Sequence, residues 1–446
     1  MAKVVLTEGN IRKQILNFAW PIFISNIFNE FYNITNSLIV GNYVSLEALS
    51  AVSACVWICN IFNYTFYGLG MGTGILVGKY YGARDKVNLK RVLDTALVFA
   101  LLGGIASTIL SEVFLTDLMR LCNISADLYD LAASYLRVYF LGHTAVLTYQ
   151  VCFFVLRNFG DTKHQLYFSI VSSIVNITLG MIFVRVFNLS VVGTALATFI
   201  SQLTMDFLTL RLLFNYDEVT LDVKNIDFSF EVVREICSLG IPASIQNLLI
   251  AISSMMIQSH VNTFSNEVIA GIGVAEKITN WGQMASLAIS SAAMALVAQN
   301  MGAKNYERVR IAIKECIWIS TVLTIVSVAA LYLAAPWLVR RFNDSELVVH
   351  YGTDMTRYSI FAMFCVNFSH IYNASCRAGG NVKYPMFIAV FCQCICKYLF
   401  VHIGLLINHD VHVLYLGTAF GFTLAGIIAT IYFYNSKWTL ENGLRG

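Results

Sequence analysis

The chain carries one half of itself twice. Arg157, Gly160 and Lys163, in the run RNFGDTK, return as Arg377, Gly380 and Lys383 in RAGGNVK, a constant shift of 220 positions. The same shift carries Gly82-Ala83-Arg84-Asp85 onto Gly302-Ala303-Lys304-Asn305, Glu47 onto Glu267 and Arg137 onto Arg357, and one residue more carries Pro21 onto Pro242. Two halves that share residues in register must fold alike. In a strongly apolar chain, such a duplication is the signature of secondary transporters, in which the substrate path lies near the bilayer midplane where the repeats meet.

With 57% hydrophobic and 12% charged residues, the chain is too apolar for a soluble globular protein. A membrane span needs about 20 mostly apolar residues. Scanning on that basis predicts twelve, six in each half, near 12–40, 49–78, 92–118, 127–156, 165–187, 190–214, 233–262, 268–299, 310–339, 347–375, 384–407 and 412–434. The fold class is therefore an all-α integral membrane protein, with twelve transmembrane helices in two pseudo-symmetric six-helix lobes. Residues 1–214 form the N-lobe, 215–232 a cytoplasmic linker and 233–446 the C-lobe. Lys and Arg gather in the connections after even-numbered spans (Arg84, Lys86, Lys90, Arg91; Arg157, Lys163; Lys224; Lys304, Arg308, Arg310; Arg377, Lys383), with Arg120, Arg185, Arg340 and Arg341 the main exceptions. The positive-inside rule then places both termini in the cytoplasm. An even span count per half makes the repeats parallel. The cysteines fall mostly inside spans and read as small apolar side chains.

Polar groups at bilayer depth point to a pathway, because they are costly unless they face protein or water. On the first span Asn26, Asn29, Glu30, Asn33, Asn36 and Ser37 share one side at helical spacing. The seventh span repeats the stripe with neutral Gln246, Asn247, Ser253, Ser254 and Gln258. Each stripe follows a matched proline, Pro21 or Pro242, which either lets the helix bend during a change of access or occupies its first turn. Carboxylates within spans are few: Glu30, Asp206 and Glu276. Glu30 leads as the ion-coupling group and Glu276 is second, with Lys277 beside it and Lys397 able to pair. Asp206 reads as a solvated group near the end of its helix. Gly68, Gly70, Gly72 and Gly74 read as a helix-packing face, because no strand precedes them as a phosphate loop would require. His409, Asp410 and His412 are too few for a metal site, and no nucleophile or metal cluster converges at one depth, so no enzyme is expected.

These segments together resemble the multidrug and toxic compound extrusion (MATE) transporters, most closely the bacterial DNA-damage-inducible-protein-F-like branch. The resemblance rests on Pro21 followed by YNITNSLIVGNYVSLEALSAV, on YYGARD, LRNFGDTK and VVGTALATFISQ, and on QNMGAKNYERVR and CRAGGNVKYPM in the second half. It implies two six-helix lobes, alternating access, and export of organic compounds in exchange for H+ or Na+. Two departures stand out. Asn36 stands where relatives usually carry Asp, and Gly180, after Asn176, stands where they often carry another. The amide of Asn36 can offer a carbonyl to a cation but cannot carry a proton.

The leading expectation is a secondary active antiporter of the inner membrane that exports amphipathic organic compounds, cationic where Glu30 faces the cleft. No cofactor is expected beyond the coupling ion. The partners are a small organic substrate, the coupling cation and the lipid bilayer, with no nucleic acid and a monomer sufficient. Ion coupling falls to Glu30, Asn36, Asn176 and Glu276. The cleft falls to Asn33, Gln246, Asn247 and Ser253, with Met255, Met256 and Met284 as adaptable apolar surface. A lipid-linked saccharide flippase is the nearest alternative, although its cleft should be more basic than Lys397 and Arg377 make this one. A transport-dead receptor or scaffold would also explain the missing carboxylates.

Overall fold

Hydrocarbon offers a backbone no hydrogen bonds, so an apolar chain of this length satisfies its amides within helices. The computed structural model describes residues 6–122, 124–216, 225–441 and 443–444, apart from the side chains of 32–34, 36–38, 40–42, 46, 437 and 440. Among these it is helical, without a strand. The first half comprises α1 (Ile11–Tyr43), α2 (Leu46–Gly82), α3 (Lys86–Val113), α4 (Leu115–Leu121), α5 (Tyr129–Leu141), α6 (His143–Asn158), α7 (Lys163–Met181) and α8 (Ser190–Phe214). The second comprises α9 (Phe230–Val261), α10 (Asn266–Gly302), α11 (Tyr306–Arg340), α12 (Glu346–Ala378), α13 (Lys383–Ala389), α14 (Lys397–Ile407), α15 (Val411–Asn435) and α16 (Lys437–Glu441). A π-helical turn, Ile182–Val186, ends α7, and another, Val390–Cys396, joins α13 to α14.

Nine of the helical segments among the described residues are long and apolar enough to cross a bilayer, and α5 with α6, bent by 46°, makes a tenth. The bend falls at Gly142, whose counterpart in the unbroken α12 is Ala362. The helices α1 and α12 are each 33 residues long, enough by length alone to cross a bilayer. All eleven cysteines are free thiols.

The chain divides into two compact units. In the first, α2 packs on α3 and α6, α6 on α3 and α8, and α8 on α7; in the second, α10 packs on α11 and α12, α12 on α11 and α15, and α15 on α14. This is one neighbour pattern used twice. The duplication reaches individual backbone angles: Arg84 and Lys304 have φ of 58° and 56°, and Gly160 and Gly380 both have 86°. Each left-handed residue closes a helix end, with the Asp85 amide donating to the Tyr80 carbonyl at 3.0 Å and Asn305 to Asn300 at 2.9 Å. The same residue caps the next helix, since the Asp85 side chain accepts from the Asn88 amide and that of Asn305 from Arg308.

The glycine face of α2 packs as the sequence suggests, and on two sides. A Cβ on Gly72 would lie 2.5 Å from the Ile236 carbonyl oxygen and 2.9 Å from the Gly240 amide nitrogen of α9. On the opposite side, a Cβ on Gly70 would lie 2.8 Å from the Gln150 carbonyl of α6, and one on Gly74 would meet Asn158 at 2.5 Å. Residues four apart share a face, so alternate glycines let two different helices approach the backbone of α2.

Both prolines lie inside their helices, well past the first turn. The first-turn alternative is thereby excluded. Unit membership changes beside each of them: Leu6–Ala19 belongs to the second unit and the chain from Trp20 to the first, which runs to Ser244 before the second resumes at Ile245. The segments that precede the two helices are held by matching straps. Before α1, the Leu6 amide donates to Gln299 at 3.1 Å, and Arg308 at the start of α11 donates to the carbonyls of Leu6, Glu8 and Gly9 at 3.1, 3.0 and 2.9 Å. Before α9, Lys90 of α3 donates to the Asn225 carbonyl at 2.7 Å, Asp94 accepts the Asp227 amide at 3.0 Å, and Thr95 accepts that of Ser229 at 3.0 Å. By the repeat, α3 and α11 are copies of one helix.

Two outcomes follow for stability in detergent. Gly72→Val should cost about 1–3 kcal/mol through overpacking and lower the thermal midpoint, whereas Gly273→Ala, where a Cβ meets nothing within 4 Å, should not lower it. Hydrogen bonds from Asn88 hold the Asp85 carboxyl below its usual range. Its contribution is therefore present above the unfolded-state pKa and lost as pH falls through the folded one. Asp85→Asn should keep the cap, as Asn305 does in the other half, and lose that acid dependence; Asp85→Ala should lose about 1 kcal/mol.

Candidate functional site

The sequence-predicted residues fall into two sets, one in each unit. On the first-unit part of α1, Glu30 and Asn26 are half-buried and Asn29 is exposed. Glu30 has no hydrogen-bond or ion-pair partner among the described residues. The side chains of Asn33 and Asn36 lie outside the described residues. On α7, Asn176 is fully buried, and its amide donates to the hydroxyls of Thr198 at 3.3 Å and Ser201 at 3.4 Å on α8. Ser172, a turn earlier, donates to the Ser201 carbonyl at 3.0 Å. A polar seam thus joins α7 to α8. At Gly180 a side chain would meet Ile39 and Ala197, so the position where relatives often carry Asp has apolar neighbours.

Two groups of this unit differ from their sequence reading. Arg157, expected in a connection, lies within α6 and is 5% exposed. Its guanidinium stands 4.4 Å from the ring centroid of Phe153 and 5.3 Å from that of Phe154, contacts that favour a cation away from water. Asp206 is half-buried rather than fully solvated: its Oδ1 is buried and has no hydrogen-bond partner. The cause is the packing of α6 against α8, which brings Cys152 within electrostatic reach of the carboxylate.

In the second unit the polar groups of α9 are mostly engaged. Gln246 accepts from Arg377 at 2.6 Å. Ser253 is buried and donates to the carbonyls of Gln393 and Cys394, at 3.5 and 3.4 Å, in the π-helical turn. A π turn misaligns the helical ladder, and a hydroxyl from a neighbouring helix meets the displaced carbonyls. Asn247 and Met284 are half-buried, and Met255 and Met256 are exposed. Lys397, next after the turn, stands 6.0 Å from the centre of the Phe422 ring and within electrostatic reach of exposed Glu276. Lys277 points instead to Phe342, at 5.9 Å.

One cluster had no signal in the sequence. Asn367 of α12 accepts hydrogen bonds from Ser286 of α10 and Ser320 of α11, and donates to Thr321 at 3.4 Å. It ties three helices at one depth. At the far end of the unit Asp410 caps α15 through the His412 amide at 2.9 Å, and among the described residues no group of His, Cys, Asp and Glu forms a metal site.

The Lys397–Glu276 pair predicts a measurable coupling. Lys397→Met and Glu276→Gln should each lower the thermal midpoint, and the double variant should lose less than the sum of the two, because each single change leaves the other charge uncompensated.

Comparison with known proteins adds the following. The family model described as MatE matches residues 21–182 and again 242–403. The probable multidrug resistance protein YoeA of Bacillus subtilis is 25% identical over 394 residues, covering 86% of this chain and 85% of that protein. The multidrug export protein MepA of Staphylococcus aureus is 22% identical over 388 residues, covering 86% and 85%. A solved structure, the outward-facing conformation of a multidrug resistance MATE family transporter of the MOP superfamily, superposes with a TM-score of 0.92 at 23% identity, over 99% of this chain and 98% of that one.

Proposed function

The chain belongs to the MatE family, and on that premise we propose that it is a multidrug exporter working by alternating access, in exchange for H+ or Na+. The observation that carries this reading is the match of both halves to one family model, in a chain with nine helices, and a tenth bent pair, apolar enough to cross a bilayer among the described residues. The fold moves solutes without a chemical step, so the work falls to polar groups that meet cargo and cation in turn.

Glu30 is the residue best suited to that exchange. It is half-buried on the polar side of α1 and has no partner among the described residues, so it can serve an organic cation and the coupling ion alternately. Asn36, Asn176 and Glu276 join it as ion-coupling residues. Asn33, Gln246 and Asn247 are assigned to substrate contact, and Met255, Met256 and Met284 to a surface that repacks around different apolar cargoes. Ser253 acts one step removed, by holding the π-helical turn. Pro21 and Pro242, inside α1 and α9, are the points at which those helices bend. A single chain in the inner membrane, with both termini in the cytoplasm, suffices.

Right-side-out vesicles loaded with ethidium test this. Efflux should follow an imposed H+ or Na+ gradient in the wild type, and Glu30→Gln should reduce it by about tenfold or more, the effect of losing about 1.4 kcal/mol or more of differential binding. Efflux indifferent to both gradients would refute the exchange mechanism.

A further inference from the structure

Asp206 sits in α8, between the two segments that the family model matches, so nothing in the family resemblance assigns it a role. An ionised carboxylate with a buried, unpartnered oxygen is expensive in hydrocarbon, and the cost disappears only when a cation joins it. The protein's own cations on neighbouring helices are committed elsewhere. On α5 Arg137 pairs with Glu112, on α6 Arg157 faces Phe153 and Phe154, and in the π-helical turn after α7 Arg185 lies over Tyr43. Lys163 of α7, Arg211 of α8 itself and Asp130 of α5 are exposed, and on α2 Glu47 is exposed and Lys79 lies over Tyr80. Cys152 of α6, a thiol and not a counter-ion, lies within electrostatic reach of Asp206.

We propose that Asp206 is a proton-carrying carboxylate of the first unit, which takes up a proton in one state of the transport cycle and gives it up in another. Its carboxylate takes the proton from hydronium, leaving water, and returns it to water, so charge and atoms balance. A proton needs only one carboxylate oxygen, whereas a metal cation needs a set of oxygen ligands. A carboxylate on α8 restores to the first unit the acid that Asn36 and Gly180 do not provide. The exchange role rests on the export reading above; protonation of Asp206 does not.

Two measurements separate these. Infrared difference spectra of the purified protein between acidic and alkaline buffer should show a protonated-carboxyl C=O band that is missing in Asp206→Asn and retained in Glu30→Gln. In vesicles Asp206→Asn should lose efflux driven by a proton gradient yet keep ethidium binding, and Asp206→Glu should recover part of the efflux. Loss of the band with no efflux from the wild type would leave Asp206 a proton site and sink the export reading alone. A spectrum unchanged in Asp206→Asn, or proton-driven efflux that survives the substitution, would overturn the proposal, as would efflux driven by Na+ and not by protons.

Discussion

Everything in this protein follows from a solvent that cannot hydrogen-bond. In hydrocarbon a lone amide costs several kcal/mol, so the chain is helical and its helix ends close on themselves. Two matched pairs of left-handed residues are a visible result. Gly160 and Gly380 adopt φ of 86° at no steric cost, while Arg84 and Lys304 accept the cost of φ near 57° because Asp85 and Asn305 follow at once as caps. Side chains obey the same rule: Asn176, Asn367 and Ser253 are buried with partners on neighbouring helices.

Within that constraint helices associate without a hydrophobic driving force, because lipid tails are as apolar as leucine. Close backbone approach and polar seams replace it. Helix α2 shows the first, with glycines on two sides for α9 and α6, and α12 shows the second, with Asn367 binding two serines and a threonine. Both devices fix geometry closely, because each depends on backbone or hydrogen-bond contact at short range.

Much of this was legible in the amino-acid sequence because the signals are local or repeated. Apolar run length gives the spans, the shift of 220 positions gives the duplication, and the spacing of Gly68 to Gly74 gives a packing face. What escaped depends on residues far apart. Leu6 looks like part of a polar leader, yet it is 0% exposed and bonded to Arg308, 302 positions away. Asp206 looks like a helix-end charge because its own neighbours say so, and its burial is imposed by α6. Arg157 looks like a loop cation until Phe153 and Phe154 close over it. Local pattern specifies elements, whereas the environment of a side chain is set by helices that the local sequence does not mention.

The matched straps bear on ancestry. A half-length forebear that paired with a second copy would have laid its leading arm on the third helix of its partner, as arm-exchanged dimers do. Once the two genes fused, that embrace became intramolecular and its effective concentration rose steeply. Arg308 and the Lys90–Asp94 pair still grip the arms as two subunits would.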